Sequence, residues 1–271
     1  LEIVGNDTLN PGKGDGAFVP MNWNRKTYLQ GKLIYKHSPF TKLKYTLIND
    51  DVSYQDYNRM YRYNPDGNLK RYRYGLTQLL QLNHTFSTKT FLNVGITHFK
   101  KSYQHRTYDR DKWDRYVHPK LLNSQPYSFL TGGTDLSVFS RETSTSTFKA
   151  DLTSQWNSKN KIKLGIEFRQ HQLNFNDYSL RPPDEKASFN ELSDDPFLGN
   201  PQRFPDSTIY SSTYNFKPIE FSAYVQDKIE LNELIINLGV RLDYFDPKGK
   251  MLSDPSDPSI YNPIKPSNIY E

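Results

Sequence analysis

The sequence predicts an all-β chain: an antiparallel up-and-down transmembrane β-barrel segment of about eight strands in four hairpins, forming an incomplete barrel. Three observations lead there. Apolar and polar residues alternate with period two in eight separate runs, the signature of strands with one greasy and one wet face. The connections between runs alternate between very short and very long. The composition is polar on average, with mean hydropathy -0.81, yet 14% of the 271 residues are aromatic, including 20 Tyr and 16 Phe. Disorder would deplete those rings; a barrel wall with interfacial aromatics gathers them.

The runs follow in order. Leu29, Gly31, Leu33 and Tyr35 oppose Gln30, Lys32 and Lys36, with Ile34 out of pattern. Leu43, Tyr45 and Leu47 oppose Lys44, Thr46 and Asp50, with Ile48 the exception. Leu76, Leu80, Leu82 and Phe86 form a third apolar face, interrupted by Gln78 and His84, and Leu92, Val94 and Ile96 a fourth. Phe148, Ala150, Leu152 and Trp156 alternate with Lys149, Asp151, Thr153 and Gln155. Ile162, Leu164, Ile166 and Phe168 alternate with Lys163, Gly165, Glu167 and Arg169. Ile219, Phe221, Ala223 and Val225 share the seventh face, and Leu234, Ile236, Leu238, Val240, Leu242 and Tyr244 the eighth.

Tight turns are expected at 38–41, 87–89, 157–160 and 230–233, and long polar connections at 51–72, 102–142, 179–217 and from 246 onward. Connections above about 15 residues are uncommon in compact soluble domains, and here they recur at every second position, so all emerge from one end of the sheet. The expected division is an extracellular loop segment over 1–25, eight strands with long loops over 26–245, and a truncated extracellular loop over 246–271. Both ends of the chain then fall on the long-loop side, and the first and eighth strands require partners beyond it, because unpaired edges are not tolerated in lipid. In the last hairpin, pairing Glu230 with Glu233 sets Val225 opposite Leu238, Ala223 opposite Val240, and Tyr224 over Gly239.

Composition also excludes. No stretch supplies the roughly 18 consecutive apolar residues of a spanning helix, and the N-terminus carries no secretory signal. Zero Cys removes disulfides, thiolate metal sites and thiol nucleophiles together. The net charge of +5 is spread over the whole chain, without the basic block a nucleic-acid surface needs. No Gly-x-Ser-x-Gly elbow appears, Gly14 and Gly16 are too isolated for a phosphate cradle, and no acid–base carboxylate pair stands out; an enzyme is not expected. His98, His105 and His118 lack metal-ligand spacing, the run Asp254 to Pro258 lacks the glycine and glutamate of a calcium loop, and no metal or cofactor is expected.

Two sets of residues are candidates for contact with a solute. Lys163, Glu167, Arg169, Glu220, Tyr224, Gln226, Asn237, Arg241 and Asp243 fall on the polar faces and are expected to face a lumen, where a merely hydrated wall of mixed charge is the plainer reading. Tyr103, Trp113, Tyr116, Tyr127, Tyr210 and Tyr214 stand in the long connections among Arg, Lys and Asn, a composition suited to stacking and hydrogen-bonding a ligand. Phe86, Trp156 and Tyr244 are candidate girdle aromatics.

The segment FSAYVQDKIELNELIINLGVRLDYF, from Phe221 to Phe245, resembles a barrel hairpin of TonB-dependent receptors. Ala223, Tyr224, Gln226 and Asp227 carry one half of the likeness, and Asn237, Gly239, Arg241, Asp243 and Tyr244 the other. Ser146 to Arg169 is similar to another hairpin of that family, and the style is that of the Bacteroidetes-like branch whose members carry a carboxypeptidase-like regulatory domain. The resemblance implies a bacterial outer-membrane barrel, bathed by outer-membrane lipid and closed around a plug domain of the same full-length chain. It also implies import of a scarce solute with energy from TonB, through a segment outside this sequence. A self-contained eight-stranded barrel and a soluble β-sandwich remain the rival readings.

Overall fold

The computed structural model describes residues 2–4, 7–9, 18–119, 129–130, 132–181, 202–206, 208–249, 251–252 and 269–270. Fourteen strands occur among them: β1 (Glu2–Val4), β2 (Asp7–Leu9), β3 (Trp23–Lys36), β4 (Thr41–Gln55), β5 (Lys70–Ser87), β6 (Thr90–Arg106), β7 (Ser137–Gln155), β8 (Asn160–Arg181), β9 (Gln202–Arg203), β10 (Ser211–Phe216), β11 (Ile219–Glu230), β12 (Ile235–Asp246), β13 (Met251–Leu252) and β14 (Ile269–Tyr270). β3 to β8, β11 and β12 form one antiparallel meander in chain order. β10 and β11 both pair with β8 in a single register, Phe216 opposite Leu173 and Ile219 opposite Gln170. They are one long strand interrupted at Pro218, which has no N–H to give the ladder. The expected eight strands are therefore present, with the two-residue β9 added beside β8.

The sheet is open, with β3 and β12 at its edges, and among the described residues no second sheet covers it. Its two faces are unlike. One register row crosses all eight strands as Tyr244, Phe221, Phe168, Phe148, Ile96, Leu80, Tyr45 and Leu33. Two residues nearer the tight turns, the next row on that face reads Leu242, Ala223, Ile166, Ala150, Val94, Leu82, Leu43 and Tyr35. All eight side chains of the first row are exposed, Leu33 at 68% and Tyr244 at 54%, and in the second Leu242 stands at 63%. A soluble protein does not leave a patch of this extent in water. A sandwich buries such a face between two sheets; this one is bare.

Above the aromatic row the same face turns polar, through Gln170, Ser146, His98 and Gln78, with Ser146 and His98 Nδ1 3.1 Å apart. On β3 to β5 the apolar stretch runs higher, to Leu29, Leu47 and Leu76, as a level belt must when strands tilt. The two polar interruptions on the greasy face have partners: His84 Nδ1 lies 2.8 Å from the Thr41 hydroxyl, and Gln78 accepts from the Tyr45 hydroxyl at 3.4 Å. Phe86 and Trp156 sit exposed at the tight-turn ends and Tyr244 at the opposite margin, the placement of two girdles.

Two sequence expectations are corrected. The last hairpin closes with Glu230 opposite Ile235, so Val225 faces Val240, Ala223 faces Leu242 and Tyr224 faces Arg241. The turn is wider than expected, sealed by the Leu231 N–H donating to the Leu234 carbonyl at 2.8 Å. This slip of two leaves every face assignment intact, because side chains alternate with period two. Tyr224 covers Gly165 on β8 rather than Gly239, which pairs with Gln226. Second, the strands run well past the predicted limits, β5 starting at Lys70, β6 reaching Arg106, β7 starting at Ser137 and β8 reaching Arg181.

Candidate functional site

The polar face is built by the same alternation. Its row opposite the greasy belt reads Arg241, Tyr224, Gly165, Asp151, Asn93, Asn83, Lys42 and Lys36. All nine residues predicted for this face, Lys163, Glu167, Arg169, Glu220, Tyr224, Gln226, Asn237, Arg241 and Asp243, lie on it by register. Four of them, Glu167, Arg169, Glu220 and Tyr224, are tied into one network, and Arg241 and Asp243 form a separate pair. Glu167 holds Arg169 and lies 3.8 Å from Lys149 Nζ, which is 3.7 Å from Asp151. Arg169 Nη1 donates to Glu220 at 3.1 Å, and His171 Nε2 lies 3.3 Å from the same carboxylate. Arg241 donates to Asp243 at 2.9 Å. The Tyr224 hydroxyl donates to Asp151 at 2.9 Å across Gly165, where any Cβ would collide with the Tyr224 ring. Lys163, Gln226 and Asn237 join none of these ion pairs.

Nearer the long connections the polar face becomes aromatic. Tyr103 stands on β6, its ring 5.7 Å from Phe139, and Tyr214 on β10 stacks on Phe175 at 4.7 Å and 4°. His105 stacks on Phe139 at 5.2 Å, Phe139 meets Phe175 edge-on at 5.3 Å, and Phe216 extends the series beyond Tyr214 at 5.2 Å. Six rings thus run across β6, β7, β8 and β10. Tyr103 and Tyr214, expected in loops, are strand residues. His105, Phe139, Phe175 and Phe216 were missed; carrying the odd-numbered face of β8 from Lys163 and Glu167 onward reaches Phe175 directly, so the signal was available.

The remaining loop candidates are placed differently. Tyr116 is 2% exposed and packs with Leu136, Val138 and Leu180, with Tyr108 and Tyr178 alongside. Its hydroxyl accepts from the Tyr108 N–H at 3.1 Å, and burial raises its pKa. Tyr116 is a packing residue. Val138, Tyr178 and Leu180 lie on the greasy side of the sheet by register, so the part of this connection around Tyr116 packs against that side of the rim. It interlocks with residues 56–69: Asn64 Nδ2 donates to the Gly133 carbonyl at 2.6 Å, the Asp135 N–H to Gly67 at 2.9 Å and the Leu130 N–H to Met60 at 2.7 Å. Gly133 takes φ 82, a left-handed conformation suited to glycine. Tyr61 is buried in this lock, and desolvation with some help from Asp135 pushes its pKa to about 12.

Trp113 falls in the 3-10 segment Arg110–Arg115. The Tyr210 ring lies 4.3 Å beneath the Arg181 guanidinium. Tyr127, Gly14, Gly16 and the run 254–258 lie outside the described residues. Among the described residues no group of three His, Asp or Glu could hold a metal ion, and no helix is long and apolar enough to cross a membrane.

A single tilted meander with an exposed apolar belt, aromatic margins, a polar reverse and long connections at one end defines the wall of a transmembrane β-barrel. Residues 7–263 match the family model described as TonB dependent receptor-like, beta-barrel. The chain belongs to that family, whose members are outer-membrane transporters and receptors. No curated protein matches the sequence. Among solved structures, it is similar to the outer membrane transporter YddB from Escherichia coli, with TM-score 0.52 and 14% identity over 82% of this chain and 27% of that one. It is also similar to FpvA of P. aeruginosa, solved with a heterologous pyoverdine and iron, with TM-score 0.54 and 15% identity over 83% of this chain and 31% of that one. The chain spans about three-tenths of the length of these structures.

Proposed function

We propose that this chain is part of the barrel of a bacterial outer-membrane receptor that takes up a scarce solute in a TonB-dependent manner, and that it performs no catalysis. Residues 26–245 are the lipid-embedded wall with its loops, and the connections before and after lie outside the cell. The apolar belt faces outer-membrane lipid. The polar face lines the lumen, where the network around Arg169 and Glu220 meets water, a plug domain of the full-length chain, or the passing solute. TonB acts through a segment outside this sequence. The overall style of the sequence resembles the Bacteroidetes-like branch with a carboxypeptidase-like regulatory domain, and we place the chain there.

The observation that carries the reading is the row of eight apolar register partners from Tyr244 to Leu33, all exposed, while the reverse of the sheet is predominantly polar at that level. The open edges of β3 and β12 support a wall of a larger barrel over a self-contained one of eight strands. The test is depletion of solutes from a defined medium by cells with and without the full-length receptor, each with and without TonB. A solute whose removal needs both supports the proposal; removal that needs the receptor but not TonB overturns it.

A further inference from the structure

We propose that the polar face recognises a linear acidic oligosaccharide, one with an anionic group on every second ring. This rests on the receptor reading and names the substrate class it leaves open. The site is one register row that passes through Lys26, Arg73, Tyr103, Arg141, Phe175 and Tyr214, with Val52 between the first two.

The row alternates in chemistry. Lys26 is on β3, Arg73 on β5 and Arg141 on β7, so the three cations are two strands apart, a separation of roughly 10 Å at about 4.8 Å per strand. That is comparable to the length of two linked sugar rings. Between Arg73 and Arg141 stands Tyr103, and beyond Arg141 the stacked pair Phe175 and Tyr214, aromatic surface against which a sugar can pack; Val52, between Lys26 and Arg73, is buried. Guanidinium groups take carboxylates in a bidentate fork, and those of Arg73 and Arg141 flank the Tyr103 ring on its two neighbouring strands.

The cations are available. Lys26, Arg73 and Arg141 are exposed, and none forms an ion pair among the described residues. The closest calls on them are internal rings, Tyr28 at 5.9 Å from the Lys26 ammonium and Tyr54 at 5.4 Å from Arg73. Lower on β7 to β12 the charges neutralise one another through Glu167, Glu220 and Asp243. On β3 to β6 the balance is different: the polar face of these strands carries eight Lys and Arg against one carboxylate, Asp50, and of the eight Arg71 is paired, with Asp56 at 3.2 Å just beyond β4. Lys32, Lys36, Lys42 and Lys44 continue the positive wall toward the tight turns, the direction of entry. A basic wall concentrates and guides an anionic solute.

The experiment uses the full-length receptor in detergent and titration calorimetry with two probes of equal length: a hyaluronan hexasaccharide, with one carboxylate per disaccharide, and neutral chitohexaose. The expected result is affinity for the hyaluronan fragment at least roughly tenfold above chitohexaose, weakening as salt screens the charges. The double variant Arg73→Gln/Arg141→Gln should erase that preference while leaving weak chitohexaose binding and the heat-modifiable gel mobility of the folded barrel unchanged. Equal affinity for the two probes overturns the proposal, as does failure to bind the hyaluronan fragment. So does a preference that survives the double variant, since the cations then serve another partner such as an acidic plug surface. Binding to purified receptor needs no energy, so these results are separate from loss of TonB-dependent uptake, which would strike the underlying reading.

Discussion

Placing an arginine at Ile166 tests whether hydrocarbon covers the apolar face. On β8 that face presents Ile162, Leu164, Ile166 and Phe168 before turning polar at Gln170. Ile166 lies four residues from both Ile162 and Gln170, roughly 13 Å along the strand in each direction. A tilt of about 40° reduces this to about 10 Å of depth, close to the middle of a belt about 25 Å tall. Arginine at mid-bilayer costs about 2–4 kcal/mol in a barrel, so Ile166→Arg should lower the folding equilibrium constant roughly 30-fold or more. Leu238 offers the comparison on the same face. It pairs with Asp227 and stands three positions after the start of β12, near the tight-turn interface, where the cost falls to about 0–1 kcal/mol.

Asn237→Arg, one residue away on the polar face, should be tolerated. Folding of the three full-length variants into vesicles, titrated with urea and read by heat-modifiable gel mobility, ranks them directly. Ile166→Arg as mild as Leu238→Arg and Asn237→Arg would mean that water or protein, not lipid, meets the apolar rows, and the barrel-wall account would fail with it.

Three further outcomes are expected. Gly165→Ala drives a methyl into the Tyr224 ring and should cost about 1–3 kcal/mol; in a Tyr224→Ala background most of that penalty should vanish, and additive losses would refute the contact. Tyr116→Phe removes the hydroxyl that accepts from the Tyr108 N–H, leaving that donor buried, at about 1–3 kcal/mol. Faster protease cleavage in 107–136, with the strands intact, is the readout, and unchanged cleavage counts against the lock. Asp206 accepts from Ser211 Oγ at 2.5 Å, Arg203 at 3.0 Å and Thr213 at 3.1 Å, and these donors, Ser211 foremost, lower its pKa below 3.8. A depressed carboxylate stabilises fully above its unfolded pKa and loses that contribution as pH falls through the folded value. Hydrogen exchange around 203–213 should therefore quicken only at such acidic pH, and Asp206→Asn should flatten that response; an unaltered pH profile in the variant would contradict it.

Much of the wall was legible because lipid and water impose a simple code on alternate residues. Ile162 to Arg169 is read correctly position by position, and all nine polar-face candidates fall on that face. What escaped were the strand extensions. Above the belt both faces of β5 to β8 are wet, as Tyr72, Gln104, Ser140 and Asn176 on the formerly greasy side attest. Alternation disappears there, although the backbone ladder continues. That is why Tyr103 and Tyr214 looked like loop residues, and why Phe139 and Phe175 were not seen. Tyr116 misled for a different reason: a loop rich in aromatics can hold a ligand or hold itself together, and only the burial beside Leu136 and Leu180 distinguishes the two.

That burial places the described part of the β6–β7 connection on one side of the sheet. The connection between β6 and β7 needs an apolar surface to order its own backbone, and it finds Val138, Tyr178 and Leu180 on the outer side of the rim. Arg106 over Tyr72 at 4.5 Å and Arg203 over Tyr178 at 4.6 Å add contacts on that same side. Had the connection folded to the other side of the sheet, Phe139, Phe175 and Tyr214 were apolar alternatives, and it would have occupied the row of rings on the polar face. Packing on the greasy side satisfies its hydrophobic demand away from the polar face. The two faces of one strand thus differ at the rim, even-numbered positions of β8 anchoring the connection and odd-numbered ones carrying rings and charges on the polar face.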